Sequence, residues 1–376
     1  MSPPRAIAFY APLKSPNHPS PSGDRTMARL LMRALETAGF SVSLASELRT
    51  LDKTGDPTCQ EQLRMASAVT AEDLVHRYRA EPREQRPALW FTYHVYYKAP
   101  DWIGPRVADA LAIPYVIAEG SRAAKRADGP WALGHAGAEA ALDRANAVIA
   151  MTDRDRIALA AAKPDGQRLI DLAPFIDAGE WDHPRLSPRE NGAPRLLTVA
   201  MMRPGDKLAS YRILAASLGE IRHHPWTLDI VGDGDARRDV EELFCAFTGR
   251  VRFHGHMTMH EGLGDLYRHA DLFVWPAVNE AYGMVLLEAQ LFGCPVVAGA
   301  HGGVANVVRH METGILTPPD DVRAFAEAVG SLLQAPEQRR RLGAAAYRFV
   351  QDERSFPQAS AILRETLNDL IERSRP

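Results

Sequence analysis

Cysteine is scarce in this 376-residue chain: there are three, Cys59, Cys245 and Cys294, with no metal-type spacing among them. So sparse and odd a set excludes a disulfide framework and a cysteine-built zinc site, and it suits a reducing compartment. Cys294 falls in a helix-to-strand turn, where a small buried residue is a commoner need than a nucleophile. Long apolar runs are missing too. None reaches the roughly 20 residues that cross a bilayer, and the opening MSPPRAIAFYAPLK lacks the apolar centre of a secretion signal. A cytoplasmic protein is the expectation, and peripheral contact with the inner face of a membrane stays compatible with it. A large excess of one sign of charge is absent as well, with 44 Lys and Arg against 47 Asp and Glu. The formal net charge is −3, so no overall basicity draws the chain to nucleic acid, and no such partner is expected.

What is present is an ordinary globular composition, 46% hydrophobic and 24% charged, over a length that suits two domains with a core each. Short apolar runs alternate with helical periodicity. Ala6–Ala11, Val42–Ala45, Ala88–Tyr93, Pro114–Ala118, Ala145–Met151 and Arg168–Leu172 read as strands. Helices are expected over Gly23–Ala38, Gln60–Arg79 and Pro105–Leu111, and from Asp153. Trp181–Pro194, rich in proline and charge, reads as a linker. The alternation then resumes with Leu196–Met202, Leu208–Leu218, Thr227–Val231, Val251–His256 and Leu263–His269. Repeated strand–helix alternation is the pattern of doubly wound parallel sheets. Asp153-Arg154-Asp155 and Asp233-Gly234-Asp235 have the look of metal-binding pairs. The first opens a helix, where Thr152 or Asp153 caps free amides, and the second is a turn, so no metal is expected at either.

The most informative stretch is Asp271 to Gly299, DLFVWPAVNEAYGMVLLEAQLFGCPVVAG. Leu272–Trp275 and Pro295–Ala298 are continuous apolar strands, with a buried helix between them. Two carboxylates interrupt it, Glu280 in the loop and Glu288 inside the helix. Eight residues at helical rise separate them by about 12 Å, beyond the about 5–9.5 Å of a carboxylate dyad acting on one bond. Two such groups suit the two ends of one extended ligand. The amides of Ala281, Tyr282, Gly283 and Met284 lie near a helix N-terminus, which favours an anion such as phosphate between the two. Ala300-His301-Gly302-Gly303-Val304 is a second glycine-rich loop, followed by an expected helix near Ala305–Arg309. Gly314–Pro318 reads as an edge strand, and Asp320 or Asp321 as the cap of the next helix.

Glu280-Ala281-Tyr282-Gly283, Leu287-Glu288-Ala289 and Gly293-Cys294-Pro295-Val296-Val297 together resemble the donor-binding motif of the family-4 (group 1) retaining nucleotide-sugar glycosyltransferases. The resemblance is specific from Leu196 to Asp321 and weaker from Met1 to Leu172. It implies an α/β GT-B fold, with two Rossmann-like doubly wound parallel-sheet domains facing a central cleft. The domains would be residues 1–180 on the acceptor side and 195–350 for the donor, with 351–376 a helix returning to the first. It implies transfer of a sugar from a nucleotide diphosphate donor to an acceptor hydroxyl with retained configuration, in cell-surface polysaccharide or glycolipid synthesis. The partners would be a nucleotide sugar and a glycan or lipid-linked acceptor, with no cofactor or metal.

Carried over residue by residue, Arg203 and Lys207 would hold the diphosphate, although Leu208 stands where the family has glycine. Glu280 would bind sugar hydroxyls and Glu288 the ribose. Tyr282, Gly283, Met284, Gly302 and Gly303 would cradle the phosphates. Gly232, in a Gly-x-Gly turn, and His256, before the base pocket, would complete the donor side. On the acceptor side, Ser22-Gly23-Asp24 replaces the family's Gly-Gly pair, and Arg122 belongs to a basic loop with Lys125 and Arg126. The family places a His at the end of the strand corresponding to Pro114–Ala118. This chain has Glu119 there and His94 one strand earlier, and either residue suits a role at the reactive carbon. Two rivals stand beside this reading. An epimerase on the same fold would consume donor without acceptor, and a non-catalytic subunit would bind it without turnover. The joint presence of Glu280, Glu288, Arg203 and Lys207 argues against the second, since a mere binder could do without some of them.

Overall fold

Burial on two faces selects the strands. In the computed structural model, which describes residues 4–20, 22–181 and 192–374, Ile7, Phe9, Val116, Ile117, Val148, Ile149, Phe273, Val274, Val296 and Val297 are fully buried. Such runs need a layer of helices above and below, which parallel sheets provide. The chain divides into two units, Met1–Ala173 with Pro357–Pro376, and Pro174–Phe356. Residues 182–191 of the expected linker lie outside the described residues.

Unit 1 runs β1 Ala6–Tyr10, α1 Gly23–Thr37, β2 Ser41–Ser46, α2 Pro57–Ala80, β3 Pro87–Val95, α3 Gly104–Leu111 and β4 Tyr115–Gly120. It continues with α4 Ala132–Arg144, β5 Ala147–Ala150, α5 Asp153–Ala161 and β6 Arg168–Asp171. The strands form one parallel sheet in the order β2-β1-β3-β4-β5-β6. Local chemistry sets the helix starts. Ser22 Oγ accepts from Arg25 N at 3.2 Å at the start of α1, Asp56 from Thr58 N at 2.9 Å at α2, and Thr152 from Asp155 N at 3.2 Å at α5.

Unit 2 runs β7 Arg195–Val199, α6 Asp206–Glu220, β8 Thr227–Val231, α7 Arg237–Leu243, β9 Val251–Gly255, α8 Leu263–His269 and β10 Leu272–Trp275. Then come α9 Met284–Leu291, β11 Val296–Gly299, β12 Gly314–Thr317, α10 Val322–Gln334 and α11 Pro336–Glu353. Its parallel sheet has the order β12-β11-β10-β7-β8-β9, the strand order of dinucleotide-binding folds. β12 is at the edge, and Asp321 caps α10 by accepting from Ala324 N at 2.9 Å. The segment read as a helix near Ala305–Arg309 is instead a single 3-10 turn, Val304–Asn306. Val307 and Val308 are fully buried there, and Gln290 Nε2 holds the Val307 carbonyl at 2.7 Å.

The last helix, α12 Phe356–Arg373, belongs from Pro357 onward to unit 1. Leu363 and Leu367 are fully buried. Arg364 donates to the carbonyls of Ala38 at 3.1 Å and Thr37 at 2.9 Å, capping the C-terminal end of α1 with a cation.

Candidate active site

In unit 2 the strand order reverses between β7 and β10, and ligands of open α/β sheets bind at the carboxyl ends of such a pair. The loop after β7 leads into α6 through Gly205, whose φ of 83° leaves the helix start with no capping side chain. Leu208 N is taken by Arg203 O at 3.1 Å, which leaves the amides of Asp206 and Lys207 and the helix dipole to face an anion. Lys207 in that turn forms an ion pair with Glu280 Oε2, from the loop after β10. Its Nζ lies 5.5 Å from the centre of the Trp275 ring, and Trp275 Nε1 donates to the same carboxylate oxygen at 3.4 Å. Arg203 is exposed and pairs with no carboxylate among the described residues.

The Glu280 loop is held from two sides. From α6, Ser210 Oγ accepts from Val278 N at 2.9 Å, and Asp206 Oδ2 accepts from Asn279 Nδ2 at 2.9 Å. From the other side, Gly303 N donates to Ala281 O at 2.5 Å, and a Cβ on Gly302 would lie 2.0 Å from Glu280 O. Glycine at 302 is thus required by backbone approach. Gly283, at φ 78°, opens α9 with no capping side chain, while the side chains of Tyr282 and Met284 are buried.

Glu288 is half-buried one turn inside α9 and accepts from Tyr267 Oη at 2.8 Å. Burial pushes its carboxyl up to about 7, although the Tyr267 bond works in the other direction. Gly232, at φ 146°, has a Cβ position only 1.9 Å from Ala200 O, so it seats the loop after β8 against the loop after β7. His256 is exposed just beyond β9.

Unit 1 has its own order reversal between β1 and β3. His94 and Glu119, at the ends of β3 and β4, both have left-handed backbones, φ 64° and 61°. Such strain costs about 1–3 kcal/mol at each site and gathers where function needs it. The structure brings these two residues together with a third, Asp24, from the first turn of α1. His94 Nδ1 is 3.1 Å from Asp24 Oδ1 and 3.6 Å from Glu119 Oε1. Burial disfavours the imidazolium, but the Glu119 and Asp24 carboxylates outweigh it and hold its pKa up at about 9. Burial raises Glu119, while the bond and charge of His94 outweigh burial at Asp24 and lower it.

Ser22 caps α1, and Gly23 faces open space. Arg122 is turned onto α4. It pairs with Glu139, and with Asp143 at 2.6 Å, so its charge is matched inside the unit rather than held ready for an acceptor. The proline-rich loop after β1 is braced by three arginines. Arg25 donates to His18 O at 2.9 Å, Arg29 to Pro16 O at 2.7 Å and Arg49 to Leu13 O at 2.7 Å.

Sequence reasoning missed Asp24, Tyr267 and Trp275 as site residues. Asp24 offered a signal, an acidic residue in a helix first turn beside a strand-end loop. Tyr267 offered little, because an aromatic on the inner face of a short helix reads as core. Among the described residues no group of three or more His, Cys, Asp or Glu is arranged to hold a metal ion.

Residues 193–335 match the family described as Glycosyl transferases group 1. A D-inositol 3-phosphate glycosyltransferase of Streptomyces griseus is 42% identical over 101 residues, 27% of this chain and 21% of that protein. The alpha-D-kanosaminyltransferase of Streptomyces kanamyceticus is 33% identical over 224 residues, 56% of each chain. The chain thus spans 21% to 30% of the length of the first inositol-phosphate relatives it matches. Among solved structures, sucrose-phosphate synthase from Thermosynechococcus elongatus superposes with a TM-score of 0.73 at 21% identity, covering 98% of this chain and 100% of that one. Anabaena HepE in complex with UDP-glucose gives 0.69 at 16% identity, covering 97% and 99%. The fold is GT-B.

Proposed function

We propose that the chain is a group 1 glycosyltransferase that moves a sugar from a nucleotide diphosphate sugar to an acceptor hydroxyl with retained configuration. The observation that carries this is the Lys207–Glu280 pair at the order reversal of unit 2, beside Arg203 and two helix starts without side-chain caps. Support also comes from the family match over 193–335 and from the likeness to a UDP-glucose-bound structure.

Two cations, of which Lys207 is held in place, and oriented amides stabilise a departing diphosphate, whose negative charge grows as the bond to the sugar carbon breaks. Lys207, held over Trp275 and against Glu280, is already in place when the donor arrives. Glu280 accepts from sugar hydroxyls and Glu288 from the ribose. Positive charge at the leaving group comes from Arg203, Lys207 and the helix starts, without a metal ion. In unit 1, Asp24 and Glu119 accept from acceptor hydroxyls. His94, protonated at neutral pH, donates to an acceptor oxygen rather than removing its proton. Cell-surface polysaccharide or glycolipid synthesis, at or near a membrane, is the setting that fits a glycan or lipid-linked acceptor.

Calorimetric titration of a panel of nucleotide sugars, with a metal chelator present, tests the proposal. Native protein is expected to select one donor, and Arg203→Ala and Glu280→Ala to lose its binding at least tenfold. Absence of binding to every donor in the panel would remove the proposal.

A further inference from the structure

Around the loop that follows β3 lies a cluster to which the function proposed above gives no role, although its Arg126 belongs to the basic loop on the acceptor side. Tyr97 and Trp131 meet edge to face, 5.8 Å between centres and 86° between planes. Two cations share both rings. Lys98 Nζ lies 5.0 Å from the Trp131 centre and 5.7 Å from that of Tyr97. The Arg126 guanidinium carbon lies 5.2 Å and 5.3 Å from the same two centres.

The rings are fixed in place. Trp131 Nε1 donates to Asp52 O at 3.3 Å. A Cβ on Gly55 would come within 2.5 Å of Pro130 Cβ and 3.2 Å of the Trp131 ring, and one on Gly134 within 2.3 Å of Tyr97 O. All four side chains are half-buried.

Cations usually find carboxylates, and here they do not. Among the described residues neither Lys98 nor Arg126 has an ion pair, and Arg126 Nε is buried without a hydrogen-bond partner. Asp128, two residues beyond Arg126, is exposed and forms no ion pair with it, and three other acids of unit 1 are committed elsewhere. The Asp52 carboxylate accepts from Thr54, Gly55 and Gln60, and Glu139 and Asp143 are taken by Arg122. A ring face attracts a cation without neutralising it or using its N–H donors. Two half-buried cations without a carboxylate suit an oxyanion that accepts from the outer guanidinium N–H groups of Arg126 and meets the Lys98 ammonium beside them. The cluster is also continuous with the His94 corner, since the Tyr96 ring lies 5.2 Å from His94 and 5.5 Å from Tyr97.

We propose that Lys98 and Arg126, seated on Tyr97 and Trp131, bind the phosphate of a phosphate-bearing acceptor whose hydroxyl lies at the His94 corner. The acceptor part of this rests on the function proposed above, whereas the anion site itself does not. The phosphate can belong to a soluble sugar phosphate or to a lipid headgroup.

The test uses the full chain at about 0.15 M salt, with no nucleotide sugar present, so that donor binding and this site can fail separately. Glucose 6-phosphate is titrated against glucose. Vesicles of phosphatidylcholine with phosphatidylglycerol are sedimented against phosphatidylcholine alone. Native protein is expected to bind one of the two phosphate probes over its control, and which one identifies the source. Lys98→Met with Arg126→Met, which keeps apolar stems on the rings, should weaken that binding at least tenfold. Lys125→Met, one residue away in the same basic loop, should change it less than twofold. The melting temperature of the double variant is read alongside. If it falls, Lys98→Met alone carries the test, with an expected weakening of at least threefold. No preference for either phosphate probe, or equal loss from Lys125→Met, would overturn the proposal.

Discussion

Glu288 sits where its charge state matters. Its carboxyl, pushed up to about 7 by burial, is protonated below that pH and ionised above it. Only the ionised form accepts from both ribose hydroxyls, so affinity for a nucleotide sugar should rise about tenfold between pH 6 and pH 8. The diphosphate of a nucleotide sugar does not titrate in that range, which leaves Glu288 to dominate the slope. Titrations at several pH values should show this slope in the native protein and a flat response in Glu288→Gln.

His94 carries the opposite sign. Its pKa in the folded chain is about 9, against an ordinary 6.5, so its contribution to stability is complete below pH 6.5 and is lost as pH rises through about 9. Thermal melting followed from pH 6.5 to 9.5 should show unit 1 losing stability in the native protein. The loss should be much smaller in His94→Gln, which keeps a polar side chain without the charge. Neither behaviour was legible in the sequence. Glu280, Glu288, Arg203 and Lys207 stood in a recognisable order, but the Tyr267 bond and the meeting of His94, Glu119 and Asp24 depend on residues from 21 to 95 positions apart.

At the scale of elements, the glycine loop after β11 and the loop after β10 behave as one piece. A methyl at position 302 would strike the Glu280 carbonyl, and the residue has φ 51°, where alanine alone costs about 1–2 kcal/mol. Gly302→Ala should therefore lower the melting temperature of unit 2 and weaken donor binding at least tenfold by shifting Glu280. Glycine-rich character was visible in the sequence, while the close approach that demands it was not.

The same contrast runs through the helices. α1 was readable from Met27, Leu30, Leu31 and Leu35 at helical spacing, all buried or nearly so, with Gly39 after it. α4 was not anticipated. Its residues, ALGHAGAEAALDR, present no apolar stripe, and Gly134 and Gly137 lower its helix propensity. Both glycines have packing reasons, against Tyr97 O and Trp102, and tertiary contact overrides their low propensity. The 3-10 turn at Val304–Asn306 failed in the other direction, because an apolar run of helical composition was too short to continue.

For the molecule as a whole, alternation of strand and helix was enough to announce two parallel sheets, since buried parallel strands must be short, continuous and apolar. Strand order was not legible, and it is strand order that puts β7 beside β10 and β1 beside β3. α12 ties the end of the chain to its beginning within unit 1. Removing residues 357–376 would expose the surface that buries Leu363 and Leu367 and uncap α1. Each lost leucine is worth about 2–5 kcal/mol. The truncated chain should lose the cooperative melting of unit 1 in calorimetry, while unit 2 keeps its own transition.

The most direct measurement is release of nucleoside diphosphate from the selected nucleotide sugar, without acceptor and with metal chelated. Native protein should release it slowly, with the freed sugar in the configuration it had in the donor. Glu280→Ala and Lys207→Ala should be at least a hundredfold slower at unchanged melting temperature, since each removes part of what stabilises the leaving group and the sugar. Turnover in both variants at the native rate would contradict the assignment of this site.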